Sequence, residues 1–123
     1  MPLSLHYLDF DFSEDEAGNA CWDALASVAP QHWDALLAET HSVLAWCAAQ
    51  GEPGDLDAGF CWDFDLQAML EEAHPTTAIA LTWIPAGWQC PAPLPDAGRR
   101  CLSLTISGSG AFASAFGQRW HMD

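Results

Sequence analysis

The stretch over residues 60–66 constrains the fold of this chain more than any other. It reads Phe-Cys-Trp-Asp-Phe-Asp-Leu, so that large apolar side chains alternate with short polar or acidic ones. Successive side chains of a β-strand point to opposite faces, so a period of two predicts a strand with one buried and one solvated face. The same pattern recurs over residues 7–12. Two such strands predict a sheet with an aromatic core face and an acidic opposite face.

The clearest helix in the sequence lies over residues 30–50. Apolar side chains recur there at spacings of three and four, which places them on one face of an α-helix. Pro30 suits the first helical turn, and Gly51 suits the left-handed position just beyond the end. Such a helix is about 30 Å long, enough to cross a five-stranded sheet.

The other elements are predicted from alternation and from turn residues. Strands are expected over residues 3–12, 20–28, 59–67, 76–84 and 99–107, and a short helix over 111–118. Residues 20–28 also fit a helical stripe, but a helix would place Gly18 and Asn19 in its first turns, which is costly. Residues 68–75 either prolong the third strand or form a helical turn.

The predicted order of elements is ββαβββα. This order indicates an α+β fold with a single antiparallel sheet of about five strands. The long helix is expected on one face of that sheet, with the short helix at the C-terminus. We expect one domain over residues 1–123, because the chain has the length of a single domain.

The charge of the chain excludes two classes of partner. There are 17 acidic residues and only 3 basic ones, which gives a formal net charge of −14. A nucleic-acid-binding protein needs cations to displace counterions from phosphates, and an anionic membrane repels an acidic protein. We therefore expect no nucleic-acid partner and no membrane partner, whereas a cationic partner fits the charge.

The cysteines and the N-terminus bear on the cellular compartment. The chain has 5 cysteines, none of them in a C-x-x-C pair: Cys21, Cys47, Cys61, Cys90 and Cys101. An odd number without that spacing disfavours a disulfide framework and a zinc knuckle. The first residues lack the basic and apolar regions of a signal peptide, and no apolar run has the length of a membrane span. We expect a cytoplasmic protein with reduced thiols and no cofactor.

The predicted strands gather carboxylates on the face opposite the aromatic residues. These are Asp9, Asp11, Asp23, Asp63 and Asp65. Whether they cluster depends on the strand order, which the sequence does not give. A tight cluster would favour a cation, and oxygen ligands suit Ca²⁺ or Mg²⁺. A solvated face with dispersed charges is the favoured interpretation, because a flat sheet seldom wraps an ion and no EF-hand spacing is present.

A long loop is predicted over residues 85–98, and it contains Trp88. Loops of this length are often functional, and tryptophan is a frequent anchor of protein interfaces. Trp88 is therefore a candidate partner-binding residue, together with Asp9, Asp11, Asp63 and Asp65. The interpretation that the sequence slightly favours is that Trp88 folds back as a lid over the open face of the sheet.

No catalytic motif stands out in the sequence. There is no nucleophile elbow, no glycine-rich phosphate loop and no H-E-x-x-H pair. The leading hypothesis is a non-enzymatic domain that binds another protein, or a second copy of itself, through the acidic face and the 85–98 loop. An immunity-type inhibitor of a basic partner is one form of it. The alternative is a divalent-metal enzyme or a thiol enzyme that uses the same face, with Cys61 or Cys101 as the nucleophile.

Overall fold

The computed structural model describes residues 5–16, 18–71, 77–90 and 98–120. The elements in chain order are β1 (Phe10–Glu14), β2 (Ala20–Val28), α1 (Trp33–Gln50), β3 (Trp62–Glu71), β4 (Thr77–Ala78), β5 (Thr82–Ile84), β6 (Gly87–Gln89), β7 (Arg99–Gly108) and α2 (Gly110–Arg119). Five of these strands form one antiparallel sheet, with α1 packed on one face and α2 at the C-terminal end. The predicted α+β fold is confirmed. Among the described residues, neither α1 nor α2 is both long enough and apolar enough to cross a membrane.

Strand β7 lies at the centre of the main sheet, whose order is β1-β2-β7-β3-β4 with antiparallel neighbours. Strands β2 and β3 pair with it along nearly its whole length. Its side chains alternate as predicted: Leu102, Leu104 and Ile106 are 0% exposed, and the residues between them are half-buried. Strand β2 shows the same alternation over its 9 residues, so the strand interpretation of residues 20–28 is confirmed.

Both helices cover the same face of the main sheet. The predicted stripe of α1 faces the core, and its buried members are Trp33, Leu36, Thr40, Val43, Leu44 and Cys47. Helix α2 contributes Phe112 and Phe116. The ring centroid of Phe116 lies 4.4 Å from that of Trp22 in β2, and Phe112 stacks on Trp62 of β3 at 5.8 Å. Each large side chain buried in this way contributes about 1.5–3 kcal/mol, which attaches the helices firmly to the sheet.

The start of the long helix differs in detail from the prediction. Pro30 lies in a 3₁₀ turn, Pro30–His32, and the α-helix proper begins at Trp33. Gly51 follows its last residue with φ 155° and ψ 171°. This positive φ belongs to a region that glycine adopts and other residues avoid, but the ψ value shows that Gly51 is not left-handed helical as predicted.

The first strand is shorter than predicted. Residues 1–4 lie outside the described residues, and the strand spans Phe10–Glu14 rather than residues 3–12. The reason is a contact with α1. The carboxylate of Glu39 accepts the backbone N–H groups of residues 6–8, at 2.5 to 2.8 Å. Donors held by a side chain in this way do not join a strand ladder.

The third strand lies further along the chain than predicted, because residues 59–61 are outside it, and the fourth is wrong. Strand β3 continues to Glu71, so residues 68–71 prolong it, and residues 72–76 lie outside the described residues. The single strand expected over 76–84 is divided between two sheets. Only Thr77–Ala78 pairs with β3, and Ile79 donates its N–H to the carbonyl of Ala68. The chain then leaves the main sheet, because Trp83 packs toward α1.

Residues 82–89 form a β-hairpin where part of a long loop was predicted. Strands β5 and β6 pair from Thr82 with Gln89 to Ile84 with Gly87, which leaves a two-residue turn at Pro85 and Ala86. The loop prediction over 85–98 is therefore wrong for this part, and residues 91–97 of it lie outside the described residues. The hairpin is a separate two-stranded sheet beside α1.

Candidate functional site

The face of the main sheet that points away from the helices is uncovered by the described residues. We call it the open face, and it consists of the odd-numbered residues of β1, β2, β3 and β7. These residues are exposed or half-buried, whereas the even-numbered residues of β2 and β7 are buried. The sheet thus presents a broad surface to solvent, and the chemistry of that surface follows from the strand order.

The strand register places three carboxylates in one row across the open face. Asp11 lies opposite Asp23, Asp23 opposite Thr105, and Thr105 opposite Asp65. Neighbouring strands are about 4.8 Å apart, so Asp11 and Asp23 are adjacent and Asp65 lies two strand spacings from Asp23. Carboxylates about 5 Å apart repel by roughly 0.8 kcal/mol even in water. The row therefore favours a positively charged neighbour.

Hydrogen bonds orient part of this row. Thr105 donates its hydroxyl to Oδ1 of Asp23 at 2.6 Å. In the next row Asp63 lies opposite Ser107, and its Oδ1 accepts the N–H of Phe64 at 2.8 Å. These bonds leave carboxylate oxygens that can accept further donors, since each carboxylate has about four acceptor positions.

The structure therefore brings three of the four predicted aspartates onto one face, along with Asp23. These three are Asp11, Asp63 and Asp65. Asp9 is exposed and precedes the first residue of β1, so it lies just outside the paired part of the sheet.

Two apolar side chains interrupt the polar surface. Leu25 is 70% exposed and lies opposite Ser103 of the central strand. Met69 is 41% exposed and lies opposite Cys101. Both side chains offer apolar surface to a partner that docks on this face. Leu25 is next to the acidic row along β2, two residues after Asp23.

The basic residues do little to neutralise the open face. Arg99 lies at its far end, opposite Glu71, and its guanidinium donates to the hydroxyl and the carbonyl oxygen of Ser27 at 3.0 and 2.8 Å. Arg100 is buried on the opposite side of the same strand. Arg119 is on α2, 5.5 Å from the ring centroid of Trp120. The acidic row is thus separated from all three cations by position or by face.

The metal and thiol alternatives can be compared with this geometry. Among the described residues, no three His, Cys, Asp or Glu side chains are grouped as ligands of one ion. Cys101 donates its thiol hydrogen to Oε1 of Glu71 at 2.7 Å. Burial and this hydrogen bond both raise the pKa of the Cys101 thiol. Because the thiolate is the nucleophilic form, the surroundings of Cys101 oppose that role.

Trp88 lies apart from the aspartates. It is half-buried in β6, and its indole N–H donates to the carbonyl oxygen of Leu37 on α1 at 3.0 Å. Its cross-strand neighbour Trp83 donates to Nδ1 of His41 on the same helix at 2.9 Å. The two indoles attach the hairpin to the helical side of the molecule. The lid interpretation is therefore wrong, because Trp88 does not cover the open face.

Sequence reasoning gave no special role to two residues of the open face. Thr105 and Leu25 both lie on the solvated faces of predicted strands, but only the strand order shows that Thr105 separates Asp23 from Asp65. Alternation places Leu25 on the solvated face, but its apolar side chain taken alone is equally consistent with burial.

No family model, no curated protein and no solved structure matches this chain. Residue roles therefore cannot be transferred from a relative. The functional assignment depends on the geometry and charge of the open face.

Proposed function

We propose that the protein binds a basic protein partner through its open face. One observation carries this proposal: an uncovered sheet face holds Asp11, Asp23 and Asp65 in a single row, with the exposed Leu25 beside it. The aspartates supply charge complementarity, and Leu25 supplies an apolar contact. Rigid strands hold both kinds of group in place, which reduces the entropy lost on association.

The charge of the whole chain supports the same partner. A net charge of −14 creates a long-range negative potential, which accelerates encounter with a cationic surface and makes the rate depend on salt. An immunity-type inhibitor of a basic protein is the specific form that fits these properties. None of the five cysteines forms a disulfide, which supports a reducing, cytoplasmic setting for this interaction.

Charge favours a different protein over a second copy of this chain. A symmetric dimer buries the same patch from each subunit. If the open faces met, the row of Asp11, Asp23 and Asp65 would approach its own copy, and like charges brought together in this way are destabilising. The alternative function, a metal or thiol enzyme on the same face, draws support only from the acidic row.

Affinity capture with matched charge variants tests the proposal. The face variant is Asp11→Asn, Asp23→Asn and Asp65→Asn. The control variant, Asp34→Asn, Glu52→Gln and Asp57→Asn, removes the same charge from exposed positions outside the open face. Thermal melts establish that both variants are folded. Each protein is immobilised, exposed to native lysate at about 50 mM and 500 mM salt, and its bound proteins are identified by mass spectrometry.

We expect a basic protein that the wild type and the control variant retain at low salt and release at high salt. The face variant should bind this protein at least tenfold more weakly, because each close charge pair at an interface contributes about 1.5 kcal/mol or more. If both variants lose capture of the basic protein equally, only the total charge matters. If neither loses it, the open face is not the binding surface.

A further inference from the structure

Strand β1 forms one edge of the main sheet. It pairs with β2 along one side, and among the described residues no strand lies along its other side. Its residues Asp11–Glu14 are all exposed. An edge strand of this kind presents unpaired backbone N–H and C=O groups, which can receive another extended segment.

The helical side of this edge holds an open groove of about 360 Å³ between β1, β2 and α2. Phe12, Trp22, Ala113 and Gly117 line it, together with the polar residues Glu14, Ser114 and Gln118. Phe12 is 46% exposed, and its ring lies 5.6 Å from that of Trp22. The helix therefore leaves apolar surface uncovered immediately beside the edge.

The opposite side of the same edge is acidic. Asp11 points to the open face, where it lies opposite Asp23. The side chains of a strand added beside β1 would alternate between the two sides. One set would face the groove at Phe12, and the other set would lie next to Asp11.

We propose that β1 receives an extended segment of the partner protein in which apolar and basic residues alternate. The apolar side chains enter the groove between α2 and the sheet, the basic ones lie beside Asp11, and backbone hydrogen bonds extend the sheet by one strand. This inference rests on the proposed binding of a basic protein, and it specifies how that partner is held.

The charge of β1 selects against the simplest competing occupant, a second copy of β1. Pairing two copies would bring the carboxylates of Asp11 and Glu14 close to those of the other chain, and like charges across a strand pair are destabilising. Acidic residues on an edge also serve to prevent aggregation. Protection alone, however, does not account for an open groove with Phe12 nearly half exposed beside the edge.

Synthetic peptides test strand addition directly. The probe is a fluorescein-labelled heptapeptide that alternates arginine and leucine, and its binding to the full chain is followed by fluorescence anisotropy at about 50 mM salt. Two further peptides carry N-methyl groups, either on every leucine or on every arginine. Only alternate N–H groups of an added strand point at its neighbour. Strand addition therefore predicts that one N-methylated peptide binds about tenfold or more weakly, while the other binds like the parent.

Two protein variants locate the site. Asp11→Lys should weaken binding of the parent peptide, and the same substitution at the exposed Asp34 of α1 should leave binding unchanged. Ala113→Leu should also weaken binding, because it fills part of the groove. Thermal melts show whether each variant is folded, and the comparison of the N-methylated peptides needs no variant at all.

The absence of saturable binding by the parent peptide would overturn strand addition, as would equal binding by all three peptides. If both N-methylated peptides bind as well as the parent while the variant at Asp11, Asp23 and Asp65 loses binding, strand addition at β1 is rejected. Binding of the basic partner on the open face is then retained. If both charge variants still capture the basic protein from lysate, the proposed function itself is rejected. The two failures are thus distinguishable.

Discussion

The contact between Glu39 and the N-terminal segment gives the sharpest test of the fold. Its carboxylate accepts N–H groups from three consecutive residues, with the Tyr7 and Leu8 bonds partly buried at 2.8 and 2.7 Å. Leu8 itself is only 3% exposed. Among the described residues no strand pairs with this segment, and Glu39 attaches it to α1. Replacing Glu39 by alanine should release the segment from α1.

The magnitude follows from the two partly buried bonds, because the third, from His6, is exposed. A hydrogen bond to a charged group contributes about 1.5–3 kcal/mol, so two partly buried bonds set an upper limit of about 6 kcal/mol. The carboxylate is only half-buried, and alanine has a higher helix propensity than glutamate, which both reduce the loss. We expect Glu39→Ala to lower the free energy of unfolding by about 2–3 kcal/mol, and Glu39→Gln, which keeps one acceptor oxygen, by about 1–2 kcal/mol.

Urea denaturation monitored by tryptophan fluorescence measures the global effect, and amide hydrogen exchange at Tyr7 and Leu8 measures the local one. Glu52→Ala, at an exposed position after α1, is the control and should change stability by less than about 0.5 kcal/mol. If only the segment detaches, exchange at Tyr7 and Leu8 accelerates with a smaller change in global stability. Unchanged stability together with unchanged exchange in Glu39→Ala would refute the reasoning.

Two further predictions concern other polar contacts. His41→Phe should destabilise the protein by about 1–3 kcal/mol in urea denaturation, because it removes the acceptor of the buried Trp83 indole N–H. Ser42→Ala on the same helix is the control and should have little effect. Equal denaturation midpoints for wild type and His41→Phe would contradict this role. Glu71→Gln should lower the raised pKa of Cys101, because it removes the charged acceptor that favours the neutral thiol. More thiolate then forms at neutral pH, so alkylation of Cys101 by iodoacetamide should accelerate about threefold or more. Mass spectrometry measures this rate, with the exposed Cys90 of the same molecule as the reference. An unchanged rate would show that Glu71 does not control this thiol.

Much of the main sheet could be predicted because its strands have one buried and one solvated face. The alternation in β2 and β7 is regular enough to assign each side chain to a face, and the apolar stripe of α1 identifies its buried residues. These patterns are local, since they depend only on which residues lie two, three or four positions apart. The buried faces of β2, β7 and α1 are therefore predicted correctly.

The errors occur where a distant contact decides the local structure. Residues 6–8 alternate like a strand, but their N–H groups bind Glu39, more than 30 positions away. Residues 76–84 also alternate, yet the indole of Trp83 bonds to His41 on α1 and the chain leaves the main sheet. A period-two pattern records which side chains are apolar, and it does not record which element will cover them.

The candidate site was predictable in composition but not in arrangement. Alternation alone places Asp11, Asp23, Asp63 and Asp65 on solvated faces. Their assembly into rows requires the strand order, in which β7 separates β2 from β3. The edge at β1 and its groove depend in addition on where α2 packs, which no local pattern specifies.

The central place of β7 has a consequence for how the protein is made. During synthesis, β2 and β3 emerge from the ribosome well before β7, yet each pairs with β7 and not with the other. Asp23 and Thr105, which are hydrogen-bonded neighbours in the finished sheet, are 82 positions apart in the chain. A nascent chain that ends before β7 must keep two apolar strands without their shared partner, so the main sheet can close only after β7 has been made. Such partly made chains are the stage at which we expect this protein to depend most on chaperones.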